Sequence, residues 1–215
     1  GLVGSEMCIR DRRALCDEDM KKVFTRLPSS SAIPLAVRRA QDMFVLMFLL
    51  RGLPFVDLAY LRKSDLRDNV IIYRRRKTGR PLSVTLTPEA LELLKKYMNR
   101  DSHSPYLFPL LKSGEGTKEA YREYQLALRS FNQQLTLLGK VLGLNDRLSS
   151  YTARHTWATT AYYCEIHPGI ISEAMGHSSI KVTETYLKPF RNKKIDEANN
   201  QIIDFVKHSI AGVVA

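Results

Sequence analysis

SYTARHTWATTAYYCEIHPGIISEAMGHSSIKVTETYLKPF, residues 150–190, gathers Tyr151, Arg154, His177 and Tyr186 within one short span. His167-Pro168-Gly169 and Gly176 divide it into short helices, because Pro and Gly punctuate helical runs. Tyr151 and Arg154 are three residues apart, which puts both on one helix face. Gly176 ends one helix, and Ser178 stands where it can cap the next. Nine residues separate His177 from Tyr186 (186 − 177), and SSIKVTETY between them reads as a helix returning the chain toward the same cavity. Helices joined by tight turns, with polar side chains brought together, are the pattern to explain.

Upstream the same alphabet continues. Asp17 and Asp19 open an amphipathic helix through about Thr25, closed by Pro28 and the serines at 29–31. A long helix follows from about Pro34, with proline in its first turn and Gly52 just past its end. Pro54 starts another helical turn through PFVDLAYL. The period then changes: residues 70–75 and 82–86, the latter alternating Leu, Ser, Val, Thr and Leu, read as two strands joined around Thr78 and Gly79. Thr87, Pro88 and Glu89 cap the next helix. Residues 101–116 form a loop, and a long helix runs from about Thr117 to Leu142, ending at Gly143. A last helix over 194–207 carries Ile195, Ala198, Ile202, Phe205 and Val206 on roughly one face. The expected fold is mainly α, of the α+β class, with one small antiparallel sheet. GLVGSEMCIRDR shares no period with the rest, so 1–13 reads as a non-native or unstructured leader and 14–215 as one domain.

Composition narrows the partners. Lys and Arg outnumber Asp and Glu by 33 to 22, a net charge of +11, which attracts polyanions. The apolar run at 43–50 is too short to span a bilayer and reads as a buried helix face. Three scattered cysteines make neither a disulfide framework nor a zinc site and point to a reducing, cytoplasmic compartment. No His/Cys ligand set and no paired acidic cluster offers a metal, so no cofactor is expected.

Cutting DNA by transesterification without a metal needs an in-line nucleophile, cations for the pentavalent phosphate and an acid for the departing 5′ oxygen. Tyr186 is the candidate nucleophile. Arg154 suits the phosphate, since its planar fork binds two non-bridging oxygens at once. His177 can touch phosphate and assist proton removal. Lys77, at the tip of the hairpin in YRRRKTGRPL, can donate a proton to a leaving oxygen. Arg74, Arg75, Arg76 and Arg80 beside it favour phosphate contact, because so many like charges repel unless an anion joins them. Each residue alone also has a plain structural reading: a packed tyrosine, a helix-joining histidine, a salt-bridged arginine, a solvated turn lysine.

In the order Arg51, Lys77, Arg154, His177, Tyr186, the set resembles the catalytic domain of the tyrosine recombinase (phage integrase) family. The resemblance covers about 17–210 and is strongest in ARHTWAT, MGHSSIKVTETY and KTGRPLSVTL. RGLPFVDLAYLRKSDL looks like the variant found in Bacteroides-type mobile elements and invertases. The family implies that Arg154 is one of a pair gripping the scissile phosphate. It makes Lys77 the general acid, His177 the residue that orients phosphate and helps activate the tyrosine, and Tyr186 the bearer of a 3′-phosphotyrosine. Two positions depart from the pattern. Tyr151 stands where the family usually has histidine. The usual glycine-apolar-arginine reads Gly52-Leu53-Pro54, so either Arg51 reaches the phosphate from a shifted position or that clamp is missing. The register of Asp57 with the helix after it favours the shift.

The family further implies double-stranded DNA as partner, a homotetramer on DNA docked through the C-terminal helix (Ile202, Phe205 and Val206), and an N-terminal DNA-clamping domain beyond this sequence. Three other readings compete: a type IB topoisomerase, a DNA-binding relative that has lost catalysis, and more distantly an RNA-binding protein.

Overall fold

The computed structural model describes residues 14–25, 27, 33–185 and 192–211, with side chains in the last stretch described from 195 to 205. The expected leader at 1–13 and the side chain of Val206 lie outside the described residues, as does Tyr186. Along the chain come α1 (Asp17–Phe24), α2 (Leu35–Leu49), α3 (Phe55–Tyr60), β1 (Leu66–Arg67), β2 (Val70–Arg74) and β3 (Pro81–Thr85). They are followed by α4 (Pro88–Tyr97), α5 (Lys118–Val141), α6 (Thr152–Tyr163), α7 (Pro168–Ala174), α8 (Ile180–Glu184) and α9 (Asn192–Ala211).

The apolar run at 43–50 becomes the centre of the molecule. Met43, Phe44, Leu46 and Met47 of α2 are buried, and α2 packs against α4, α5 and α6. From α5 come Phe131, Leu135 and Leu138, and Phe131 stacks on Phe55 of α3 with ring centroids 4.8 Å apart. Truncating a buried leucine such as Leu46 to alanine would cost about 2–5 kcal/mol. A satellite cluster of Ala158, Tyr162, Ile171 and Met175 pins α7 to α6. α5 starts where its threonine demands: the Thr117 hydroxyl accepts from Ala120 N at 3.1 Å. Thr87 caps α4 in the same way, at 3.3 Å from Ala90 N.

The sheet is antiparallel in the order β1-β2-β3, with Ile71 opposite Val84 and Tyr73 opposite Leu82. β2 alternates in burial, with Ile71 and Tyr73 inward and Ile72 and Arg74 outward. The hairpin closes through Arg75 N to Arg80 O (2.9 Å) and Gly79 N to Arg75 O (2.7 Å), with Gly79 at φ +69°. β1 was not expected; two residues are too few to show a period. Among the described residues no helix is long and apolar enough to cross a membrane.

Candidate active site

Arg154 organises the site from inside α6. It is 3% exposed, and its guanidinium donates through Nη1 to Gly52 O at 3.0 Å and through Nη2 to Met175 O at 2.8 Å. Those two bonds tie the α2–α3 turn and the end of α7 to one helix. Gly52 has φ +67°, and a Cβ there would sit 2.9 Å from Arg154 Cα, so glycine alone fits this crossing.

The hairpin enters from the other side. Arg75, the first residue beyond β2, is 5% exposed and donates through Nη1 to Asp57 Oδ2 at 2.8 Å. Asp57, from α3, also accepts from Arg76 N at 3.0 Å on Oδ1. Burial pushes the Asp57 carboxyl above the usual carboxylate range, and Arg75 opposes that shift. Gly176, at φ +63°, lies against the Arg75 stem: a Cβ there would approach Arg75 Cγ to 2.8 Å and Leu82 Cδ1 to 3.0 Å. Thr78 Oγ1 donates to Gly176 O at 3.0 Å, which fastens the hairpin tip to the α7–α8 turn.

His177 follows at once. It is 4% exposed, and its Nδ1 shares a 2.8 Å hydrogen bond with the buried Thr183 hydroxyl of α8. Burial, then the charges of Arg154, Arg75 and Lys77, lower its pKa to about 4. The imidazole is therefore neutral at pH 7. Three cations from α6 and the hairpin thus act on one neutral histidine. The described chain leaves α8 at Thr185, one residue before Tyr186.

The other expected residues are less buried. Arg51 has φ +59° in the α2–α3 turn and donates to Ser83 O at 3.3 Å. With Arg80, Ile170 and Glu173 it lines an open groove of about 560 Å³ beside β3. Tyr151 occupies the N-cap of α6, 51% exposed, with its ring edge-on to His155 at 4.6 Å. Sharing a helical face with Arg154 does not share burial, because the helix begins at Thr152 and Tyr151 sits at its open end. Arg74 Nη1 donates to Gly79 O at 3.1 Å. Arg76 pairs with Glu115, which also takes Arg62, and the Arg76 guanidinium lies 3.8 Å over the Tyr60 ring.

The arginine run was expected to favour phosphate contact, because its like charges repel unless an anion joins them. Asp57 and Glu115 already provide two from within the chain. Asp57 carries a sequence signal, a carboxylate on the apolar face of FVDLAY, which implies a buried cation partner. Glu115 carries none, lying in a Ser/Gly loop 39 residues from Arg76.

Comparison with known proteins bears on the fold and the family. Residues 15–193 match the model of the phage integrase family. The chain is 28% identical over 179 residues to the tyrosine recombinase XerA of Thermococcus onnurineus, covering 82% of this chain and 58% of that protein. It is 27% identical over 163 residues to the tyrosine recombinase XerC of Neisseria gonorrhoeae, covering 75% and 50%. The chain thus spans between half and three-fifths of the length of these relatives. Among solved structures, the crystal structure of XerA recombinase superposes with a TM-score of 0.58 at 21% identity, over 87% of this chain and 64% of that one. The Tn1549 transposon integrase, in complex with transposon right end DNA, gives 0.63 at 16%, over 92% and 67%. At such identities these likenesses speak to the fold, and the fold is that of tyrosine recombinase catalytic domains. With 179 of its 215 residues inside the family match (193 − 15 + 1), the chain belongs to the phage integrase family.

Proposed function

We propose that the chain is the strand-cutting domain of a site-specific DNA recombinase of integrase or invertase type, working through a 3′-phosphotyrosine. The observation that carries this reading is the convergence of Arg154, Arg75 and Lys77 on a neutral His177 that is bonded to Thr183 of α8, three residues before Tyr186 in sequence.

In the proposed step the Tyr186 hydroxyl attacks the scissile phosphorus and a new P–O bond forms to the phenol. The bond from phosphorus to the 5′ oxygen breaks, and its electron pair goes to that oxygen. Lys77 protonates the oxygen, releasing a 5′ hydroxyl, while His177 takes the phenol proton once the anionic phosphate offsets the cations that otherwise keep it neutral. Arg154 neutralises a non-bridging oxygen as the pentavalent phosphate forms. Tyr151 donates a hydrogen bond to phosphate from its exposed position; a phenol is a poor general base at neutral pH. The phosphotyrosine keeps the energy of the broken ester, so a 5′ hydroxyl from a second duplex rejoins the strand without ATP.

DNA is held by Arg74, Arg76 and Arg80 on the hairpin. The proposed active assembly is a tetramer in which α9 docks on a neighbouring protomer. Ile195, Ile202 and Phe205 of α9 are 55%, 64% and 74% exposed in the single chain, which suits such a role. The segment at 51–66 supports a place among Bacteroides-type elements, with a cytoplasmic, nucleoid-associated enzyme. A type IB topoisomerase would use the same chemistry to swivel one duplex, and recombinant products separate the two.

The test is trapping in EDTA with nicked duplexes of randomised sequence, resolved in SDS. A covalent adduct absent from Tyr186→Phe supports the reading. DNA binding with no adduct in either protein would favour a binder that has lost catalysis.

A further inference from the structure

A pentavalent phosphate exposes two charged non-bridging oxygens, and Arg154 accounts for one guanidinium. Sequence reasoning gives the second to Arg51. Its side chain instead reaches Ser83 O in the open groove beside β3, and its charge is not among those that depress His177. Arg75 is differently placed. Its stem is seated against Gly176, the residue before His177, so closely that a Cβ at 176 would meet it at 2.8 Å. Among the described residues only its Nη1 is committed by a side-chain bond, to Asp57, and its buried Nε has no hydrogen-bond partner there. A guanidinium held by one edge and unsatisfied on another is oriented to receive an anion. Asp57 adds one negative charge to the cluster against Arg75, Arg154 and Lys77, and Arg76 N shares that carboxylate, so the balance around His177 stays positive.

We propose that Arg75, clamped by Asp57 and backed by Gly176, is the second guanidinium that neutralises the scissile DNA phosphate, the place otherwise given to Arg51. The role rests on the strand-transfer reading above. It makes Arg75 a catalytic residue, and Asp57 the positioning residue that aims it. Gly176 is then required for the fork's approach as well as for its own backbone conformation.

The experiment uses the full chain and nicked duplexes of randomised sequence, with sequenced wild-type adducts marking the cleaved phosphate. The same duplex is then made with a methylphosphonate there, which replaces one charged oxygen by a neutral methyl group. On phosphate, Arg75→Ala should slow adduct formation about 100-fold or more, the effect of losing one transition-state donor. Arg51→Ala should stay within about 3-fold, well short of such a loss. On methylphosphonate, Arg75→Ala should match wild type, because the charge it neutralised is gone. An equal deficit on both substrates would assign Arg75 a purely structural role and overturn the proposal, as would an unimpaired Arg75→Ala. Should Arg75→Ala fail to fold, Arg75→Lys decides: it keeps a cation for Asp57 but lacks the fork, and an undiminished rate on phosphate would overturn the role. No adduct from wild type would overturn the strand-transfer reading itself, a failure distinct from that of Arg75 alone.

Discussion

Replacing His177 by glutamine should remove a pH dependence of stability that can be worked out from the site. In the folded chain His177 titrates near 4, against 6.5 for an unperturbed histidine, because of burial and then Arg154, Arg75 and Lys77. Between those two values the unfolded chain binds a proton that the folded chain refuses. Stability therefore rises with pH through the window, is fully present above about 6.5 and is lost as pH falls toward 4. Each pH unit between the folded and unfolded values is worth about 1.4 kcal/mol, so the loss attributable to His177 is at most about 3.5 kcal/mol. For a domain of this size that corresponds to a melting-temperature change of about 2–4 °C per kcal/mol. Urea denaturation of wild type and His177→Gln at pH 7.5, 6, 5 and 4 isolates the histidine's contribution, because every other titrating group is common to both. The wild-type stability should fall faster toward acid than the variant's, by up to about 1.4 kcal/mol per pH unit. Parallel curves would refute the argument. They would mean that His177 charges freely in the folded chain and does not lie where three cations and burial act on it.

Other perturbations follow from the same contacts. Asp57→Asn strips the charge partner from buried Arg75 and should lower stability by about 3–5 kcal/mol in urea melts. Gly176→Ala and Gly79→Ala share a left-handed backbone, but only at 176 would the new methyl meet Arg75 and Leu82. The 79 variant should lose about 1–2 kcal/mol and the 176 variant clearly more, read from the same melts. Glu115→Gln frees Arg62 and Arg76, both partly exposed, so stability should change by less than about 1 kcal/mol. Duplex DNA binding should tighten at low salt, and the slope of log affinity against log salt should steepen by about one per arginine that gains a phosphate. Unchanged affinity and slope in fluorescence anisotropy would mean that these arginines do not face DNA.

Much of the fold is legible in the sequence because its signals are local. Thr117 and Thr87 cap helices where their side chains predict, the alternation at 82–86 marks one strand of the hairpin, and Gly52 and Gly176 mark turns with left-handed backbones. The site is less legible because its decisive contacts are long-range. Nothing around Arg75 in YRRRKTGRPL shows that this arginine, alone among its neighbours, turns inward to Asp57, 18 residues away. Nor does the spacing of Arg51 reveal that its side chain reaches Ser83 O on β3. Tyr151 shows the limit of helical periodicity: three residues fix a face, but at a helix end that face opens to solvent. The nine-residue interval from His177 to Tyr186 is partly accounted for by α8, whose Thr183 holds the histidine.

The central claim is that Tyr186 carries the cut strand by its 3′ phosphate. Mass spectrometry of the nuclease- and protease-digested adduct tests it most directly. The account predicts a nucleotide linked through phosphate to the phenolic oxygen of Tyr186, with the released strand bearing a free 5′ hydroxyl. A nucleotide on any other residue, or a linkage through a 5′ phosphate, would contradict it.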